Sequence, residues 1–152
     1  MSAIKKVFII GAVTGVEDEV MDTYNSTESI VSQVFPEAEI TTPNTIMDFR
    51  NDFVAKHKDA TEQEINREMV AFDLFKVQTA DLLVADVSIV STGVGIELGS
   101  VFQKQKNVLL FARQGCVVSN MVLGAFADCT LHRYTSFQDF KQQLETELLK
   151  LK

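Results

Sequence analysis

The sequence of 152 residues has few of the features that mark specialised chain types. It holds only two prolines, two cysteines and no long apolar run. Without a Pro/Gly-rich linker, low-complexity segment or repeat, we interpret residues 1–152 as a single domain. Cys116 and Cys129 fit no zinc-binding or CxxC spacing, which favours reduced thiols in a cytoplasmic protein. The apolar segment near the N-terminus is shorter than a typical signal h-region, and no run approaches the roughly 20 residues that span a bilayer. The sequence therefore predicts no membrane partner.

Basic residues are also in the minority. Lys plus Arg number 14 against 21 Asp plus Glu, for a formal charge of −7. A general nucleic-acid binder carries a basic face, so this balance predicts no nucleic-acid partner. It leaves room for a small anionic ligand, because local donors can hold a phosphate on an acidic protein. With 46% hydrophobic and 23% charged residues, the composition is that of a globular domain.

Short apolar runs that end at turn residues predict strands buried on both faces. Three runs fit this pattern best: Val7 to Ile10, Asp81 to Ser88, and Asn107 to Ala112. Two weaker candidates are Ala38 to Thr42 and Thr130 to Tyr134.

Apolar residues at helical spacing predict helices between and after these strands. The predicted helices are Glu17 to Val34, Glu62 to Thr79, Glu97 to Lys104, Val117 to Phe126, and Ser136 to Leu151. Strands that alternate with helices indicate βαβ units and a parallel sheet.

Ligands of such sheets bind at the carboxyl ends of the strands. The loops of interest therefore begin at Gly11, Thr42, Ser88 and Arg113. The segment Pro43 to Thr61 shows no clear pattern, and a loop of that length is typical of a lid or a binding loop.

The segment Ser91 to Gly99, STGVGIELG, follows an apolar strand and opens a helix. Gly93 and Gly95 allow close backbone approach, and the amides at the helix N-terminus favour an anion. The spacing is neither the dinucleotide fingerprint nor a P-loop, so the glycines alone are a weak signal.

Two carboxylates interrupt apolar helix faces. Glu97 shares a face with Val94 and Val101 and is predicted to point inward from the first helical turn, either as an N-terminal capping carboxylate or as a functional group. Asp73 shares a face with Ile65, and burying it unpaired is costly. Its ordinary interpretation is a structural carboxylate satisfied by an arginine or a backbone amide. Together, the two carboxylates suggest a nucleophile and an acid/base for displacement at a sugar carbon, without metal or organic cofactor.

Two further features allow a structural and a functional interpretation. Ser119 and Asn120 open a short apolar helix, where they either cap the helix or bind a phosphate or hydroxyl group. Asp86 ends a strand at the binding edge, where a structural role and a ligand role are both open.

Four segments, VFIIGAVTG, DLFKVQTADLLVADVS, STGVGIELG and SNMVLGA, together resemble the nucleoside 2-deoxyribosyltransferase superfamily. Within it, the sequence is most similar to the 2′-deoxynucleoside 5′-phosphate N-hydrolases. The resemblance runs from about Lys6 to Phe126. Its spacing matches at Asp73, Ser91, Gly93, Gly95 and Glu97. It implies a deoxyribosyltransferase-like domain with a flavodoxin-like (Rossmann-like) α/β fold, a three-layer sandwich around a five-stranded parallel sheet.

The resemblance also implies a chemistry. Glu97 would attack C1′ of a deoxyribose to form a glycosyl-enzyme intermediate, and Asp73 would give the departing base a proton. Water or a second base would then take the sugar, with neither a metal nor a cofactor. The implied substrate-binding residues are Gly11, Ser91, Gly93, Gly95, Ser119 and Asn120.

Members of this superfamily are dimers or higher oligomers whose subunits share active sites. The resemblance therefore implies a homodimer or a higher homo-oligomer, in which Ser119 or Asn120 completes the neighbour's site. The implied small-molecule partner is a deoxynucleotide or a deoxynucleoside.

Ser91 distinguishes the branches, because transferases that act on free nucleosides carry an Asp at this position. An Asp would repel a 5′-phosphate, whereas a hydroxyl can donate to it. We therefore expect hydrolysis of 2′-deoxynucleoside 5′-monophosphates to free base and deoxyribose 5-phosphate. Departures from the pattern keep two alternatives open, a deoxyribosyltransferase and a non-catalytic nucleotide-binding module. Phe8 replaces a family Tyr, and Ala12 and Thr14 stand where the hydrolases have Ser and Arg.

Overall fold

The computed structural model describes residues 3–13 and 16–152, so Thr14 lies outside the described residues. All five predicted strands are present and form one parallel sheet in the order β2-β1-β3-β4-β5. This is the strand order of flavodoxin-like folds, as expected. The strands are β1 (Lys6–Ile10), β2 (Glu39–Thr41), β3 (Leu82–Asp86), β4 (Asn107–Arg113) and β5 (Leu131–Tyr134).

Six helices of the described residues flank the sheet. They are α1 (Asp18–Val34), α2 (Pro43–Lys56), α3 (Glu62–Thr79), α4 (Thr92–Val101), α5 (Asn120–Ala125) and α6 (Phe137–Lys150). Five of them confirm predicted helices, including the Ser136 N-cap of α6. None of the described helices is long and apolar enough to cross a membrane.

The interpretation of Pro43 to Thr61 as a lid or binding loop was wrong for most of the segment, because α2 occupies it. Thr42 caps this helix through a capping box with Thr45, and Pro43 takes the first turn. The ring of Phe49 stacks on Phe72 of α3, with centroids 4.0 Å apart. The apolar residues of α2 have helical spacing in the sequence, but the charged residues between them obscured this pattern.

Helix α4 also departs from the prediction, since it begins at Thr92 rather than at Glu97. Ser91 is its N-cap and accepts a hydrogen bond from the amide of Val94 at 3.4 Å. Glu97 therefore lies in the second turn, and its interpretation as a first-turn or capping carboxylate was wrong.

The sheet separates two apolar cores, because alternate residues of each strand point to opposite faces. Phe8 and Ile10 of β1 point into the core formed with α3, α4 and α5. Val7 points into the other core, which is formed with α1 and α6. This arrangement is the three-layer sandwich predicted above, with the carboxyl ends of all five strands along one edge.

Candidate active site

Two carboxyl groups face one another where α3 packs against α4. Asp73 comes from α3 and Glu97 from α4, and both side chains are partly buried. They are close enough to hydrogen-bond when one of them carries a proton. The inward direction predicted for both carboxylates is therefore confirmed.

Burial is the largest influence on the protonation of this pair. It raises the pKa of Glu97 well above the ordinary value, and the neighbouring Asp73 charge raises it further. Burial also raises the pKa of Asp73. Since two such carboxyl groups cannot both ionise easily, the pair holds one proton and one negative charge near neutral pH.

One oxygen of this pair has no hydrogen-bond partner among the described residues. Oδ1 of Asp73 is buried and receives no hydrogen bond from the described residues. The ordinary interpretation, in which an arginine or a backbone amide satisfies Asp73, is therefore wrong for this oxygen. A buried acceptor without a donor is costly, and such atoms call for an explanation beyond folding.

A second feature is an apolar groove of about 430 Å³ between α4 and α5. Four of the predicted substrate-binding residues line it: Ser91, Gly95, Ser119 and Asn120. The remaining lining is mainly aliphatic and aromatic, with Leu98, Phe102 and Phe126 among its members. None of the described residues that line this groove is charged.

The groove and the carboxyl pair lie against different faces of α4. Neither Asp73 nor Glu97 lines the groove. Gly93 is exposed and does not line it either. Gly11 packs under the ring of Tyr24, where a Cβ added at this glycine would lie 2.2 Å from the ring. Burial is the largest cause of the raised pKa of Tyr24, and Glu97 is near enough for its charge to raise that pKa further. Within one chain, the groove residues and the carboxyl pair therefore form separate groups.

Two serine hydroxyls on the groove serve as helix caps. Ser91 Oγ accepts from Val94 N at 3.4 Å, and Ser119 Oγ accepts from Met121 N at 3.3 Å. The capping interpretation of Ser119 is thus confirmed. In each case the hydroxyl acts as acceptor, so its own proton remains available to donate to an oxygen of a ligand.

The rim of the groove exposes large apolar side chains. Val90 and Met121 are 80% and 82% exposed, and Phe102 is also exposed. A contiguous exposed apolar surface of this kind marks an interaction site more often than a solvated face.

No group of three or more histidine, cysteine, aspartate or glutamate side chains that could hold a metal occurs among residues 3–13 and 16–152. The two members of the carboxyl pair lie on α3 and α4, and both were already named by the family resemblance in the sequence. What the sequence did not reveal is the hydrogen bond from Tyr134 to Asp86, since residues 48 positions apart carry no spacing signal.

The fold of this chain resembles that of several solved structures. A CMP N-glycosidase from Clostridium botulinum matches with a TM-score of 0.62 and 14% identity, over 93% of this chain and 99% of that one. A conserved protein from Enterococcus faecalis matches with a TM-score of 0.62 and 13% identity, over 95% and 99%. A 2-deoxyribosyltransferase from Bacillus psychrosaccharolyticus matches with a TM-score of 0.59 and 17% identity, over 91% and 95%.

The chain shares their fold. This agrees with the fold that the sequence motifs implied, and the match extends over nearly the full length of each structure. No protein-family model matches the sequence, and no curated protein matches it either.

Phe8 lies in the core between the sheet and helices α3 and α4. This residue is fully buried beside Val94 and Leu98 of α4, on the face of the sheet that carries the carboxyl pair. A tyrosine here would extend its hydroxyl toward that layer. With phenylalanine, the pair has no hydroxyl donor from this position.

Proposed function

We propose that this protein cleaves the N-glycosidic bond of 2′-deoxynucleoside 5′-monophosphates. One observation carries the proposal: Asp73 and Glu97 face one another in a half-buried pair, and Oδ1 of Asp73 receives no hydrogen bond from the described residues. An ionised carboxylate beside a protonated one supplies both a nucleophile and an acid. Sugar-carbon displacement needs both at once.

The proposed reaction has two steps. In the first, the proton of the pair moves from Glu97 to Asp73, a carboxylate oxygen of Glu97 bonds to C1′ as the C1′–N bond breaks, and Asp73 gives this proton to the leaving base. In the second, water attacks C1′, its proton passes to Asp73, and the C1′–oxygen bond to Glu97 breaks. The products are free base and deoxyribose 5-phosphate, and the carboxyl pair returns to its starting protonation.

The preference for a 5′-monophosphate rests on neutral donors. The Ser91 and Ser119 hydroxyls can donate to phosphate oxygens, and the first amides of α4 favour an anion. The Clostridium botulinum glycosidase with a similar fold acts on CMP, which is itself a nucleoside monophosphate. That the substrate's sugar is a 2′-deoxyribose rather than a ribose is proposed from the sequence motifs alone.

We further propose that the site is completed by a second copy of the chain. Ser119 and Asn120 lie on the groove rather than beside Glu97, and exposed apolar side chains such as Val90 and Met121 line the same groove. A homodimer that buries this rim could bring Ser119 or Asn120 of one copy toward the carboxyl pair of the other.

Chromatographic detection of released base tests the proposal. The purified protein is incubated with the four common deoxynucleoside monophosphates and, separately, with the matching nucleosides. Glu97→Gln removes the nucleophile, and Glu145→Gln on the exposed face of α6 is the matched control. We expect base from the monophosphates with wild type and control only. No base with any substrate, or full activity in Glu97→Gln, would refute the proposal.

A deoxyribosyl transfer is the second candidate, and one observation favours it. The groove holding Ser91 has no charged lining residue among those described, so little there neutralises a phosphate. The structural likeness to a 2-deoxyribosyltransferase is in keeping with this. An added acceptor base distinguishes the candidates, because only a transferase forms the exchanged nucleoside in excess of the hydrolysis product.

A further inference from the structure

A hydrogen-bonded network lies at the carboxyl edge of the sheet, around Asp86 at the end of β3. Tyr134 donates its hydroxyl hydrogen to Oδ2 of Asp86 at 2.6 Å. The amide of Ser88 donates to Oδ1 at 2.8 Å. The Ser88 and Tyr134 hydroxyls are 3.3 Å apart and close the triangle. Both oxygens of Asp86 are therefore occupied, which favours the structural role left open by the sequence.

The same three residues connect neighbouring strands. The amide of Arg113, at the end of β4, donates to Ser88 Oγ at 2.7 Å. The carbonyl of Tyr134, the last residue of β5, accepts from the amide of Gln114 at 2.8 Å. The network thus holds the ends of β3, β4 and β5 at fixed separations, and a hydrogen bond to a charged group is among the stronger ones in a protein.

The other tyrosine is next to this network but holds a different segment. Tyr24 is buried and donates to the carbonyl of Ala12 at 2.9 Å, in the segment after β1. Burial is the largest cause of the raised pKa of Tyr24, and the Asp86, Tyr134 and Glu97 side chains are near enough to raise it further. Tyr24 therefore provides a comparison with Tyr134, because it is also a largely buried tyrosine, but its hydroxyl bonds to the segment after β1 instead of to Asp86.

The network immediately precedes the part of the chain that carries the proposed nucleophile. Ser88 lies three residues before Ser91, which caps α4, and α4 carries Glu97. The amide of Val87 also bonds to the carbonyl of Phe111 on β4 at 2.8 Å, which fixes the start of this segment. A shift at Ser88 would move the start of α4 and, with it, the face that Glu97 presents to Asp73.

We propose that Asp86, Ser88 and Tyr134 are positioning residues. They fix the segment between β3 and α4, so that Glu97 meets Asp73 in a single geometry. The structural part of this inference stands on the hydrogen bonds alone. Its consequence for turnover rests on the proposed function.

Amide hydrogen exchange tests the structural part without any substrate. Tyr134→Phe removes one hydroxyl and keeps the ring packed against Phe140. We expect amides over residues 87–99 to exchange roughly 10- to 100-fold faster, the effect of losing a hydrogen bond to a charged group. The matched control Tyr24→Phe should leave this segment unchanged. Equal exchange in Tyr134→Phe and wild type, or equal acceleration in both variants, would overturn the inference.

A second variant keeps the test decisive if Tyr134→Phe does not fold. Ser88→Ala removes the hydroxyl that bonds Arg113 and Tyr134 but leaves the Ser88 amide on Asp86. The expected acceleration is smaller and confined to the same segment. Unchanged exchange there in folded Ser88→Ala would count against the network as a positioning device.

Turnover gives an independent readout. With deoxynucleoside monophosphate as substrate, Tyr134→Phe should lower kcat roughly tenfold or more and leave KM nearly unchanged, because a misplaced nucleophile loses alignment rather than binding. A changed KM with the wild-type kcat would overturn the positioning role in catalysis. If the wild type itself releases no base, the proposed function fails, and the exchange result still decides the structural part.

Discussion

Asp73 and Asp86 are two aspartates on apolar elements, and they differ in how their oxygens are used. Both oxygens of Asp86 accept hydrogen bonds, one from Tyr134 and one from the amide of Ser88. Asp73 has a buried oxygen without a donor and faces another carboxyl group. The first arrangement stabilises the fold, whereas the second destabilises it.

The comparison separates structural from functional carboxylates by their partners rather than by their burial. A carboxylate whose two oxygens already accept hydrogen bonds from the fold has less acceptor capacity left for a ligand. One that folding leaves unsatisfied, beside a second carboxyl group, can gain a partner only when a ligand arrives. Proteins often accept reduced stability at sites where activity requires it. This is the physical reason for assigning chemistry to Asp73 and Glu97 and a scaffold role to Asp86.

The strongest way to break this comparison is to neutralise each aspartate in turn. Asp73→Asn removes the proposed acid and should lower kcat about 10²- to 10⁴-fold, the usual contribution of a positioned acid or base. Asp86→Asn should lower kcat less but decrease the free energy of unfolding by about 1.5–3 kcal/mol, because it weakens two bonds to a charge. Release of base and urea denaturation measure the two effects.

The stability of Asp73→Asn is the internal control for that experiment. Since no donor is lost, its free energy of unfolding should match or exceed the wild-type value at pH 8. The functional assignment of Asp73 would be wrong if this variant lost stability as Asp86→Asn does and kept its turnover.

The sequence was most informative where a residue conflicted with its surroundings. Asp73 within MVAFDLF and Glu97 among aliphatic residues stood out because an apolar helix face does not tolerate an unpaired charge. The strands were equally clear, since apolar runs of strand length between turn residues have few other interpretations. Their parallel order followed from the alternation of strands and helices.

Other features depended on contacts between distant parts of the chain. Helix α2 was missed because charged residues obscure its helical spacing, and its packing on Phe72 of α3 is a long-range contact that local pattern does not reveal. The bond between Tyr134 and Asp86 joins β5 to β3, and only the fold brings them together. The helix that carries Glu97 was placed too late, because a glycine-rich start has low intrinsic helix propensity.

A charge at Ser91 should separate phosphate recognition from bond cleavage. Ser91→Asp keeps a good N-cap for α4 but repels a 5′-phosphate. We expect KM for the monophosphate to rise roughly 10- to 100-fold, while kcat for the same substrate changes little. Ser91→Asn, a cap of the same shape without the charge, is the matched control. If both variants behaved alike, Ser91 would not contact a phosphate.

Because the two carboxyl groups are buried side by side, the free energy of unfolding should depend on pH. Burial raises the folded pKa of Glu97 and Asp73 above their unfolded values. The folded protein then binds more protons than the unfolded chain, so the free energy of unfolding falls as pH rises from about 4 to about 9. Glu97→Gln removes one of these groups and should stabilise the protein at pH 8 by about 2 kcal/mol.

Thermal unfolding at several pH values measures this difference. The stabilisation by Glu97→Gln should vanish near pH 4, where the wild-type carboxyl group is protonated in both states. Glu145→Gln, on the exposed side of α6, should give the wild-type curve throughout. A Glu97→Gln variant less stable than wild type at pH 8 would show that Glu97, like Asp86, serves the fold.

The smallest expected effect concerns Thr42, which like Asp86 is a buried polar residue with its bonds made inside the chain. Its side chain accepts from the amide of Thr45 at the start of α2. Thr42→Ala should decrease the free energy of unfolding by about 1 kcal/mol, the usual effect of losing an N-cap. Thr146→Ala, at an exposed position of α6, is the control for the loss of a threonine hydroxyl. Helix α2 packs on α3 through Phe49 and Phe72, next to Asp73. As long as α2 stays folded, this packing supports the position of Asp73, so we expect kcat to stay unchanged. A fall in kcat without a fall in stability would mean that Thr42 affects turnover other than through the stability of α2.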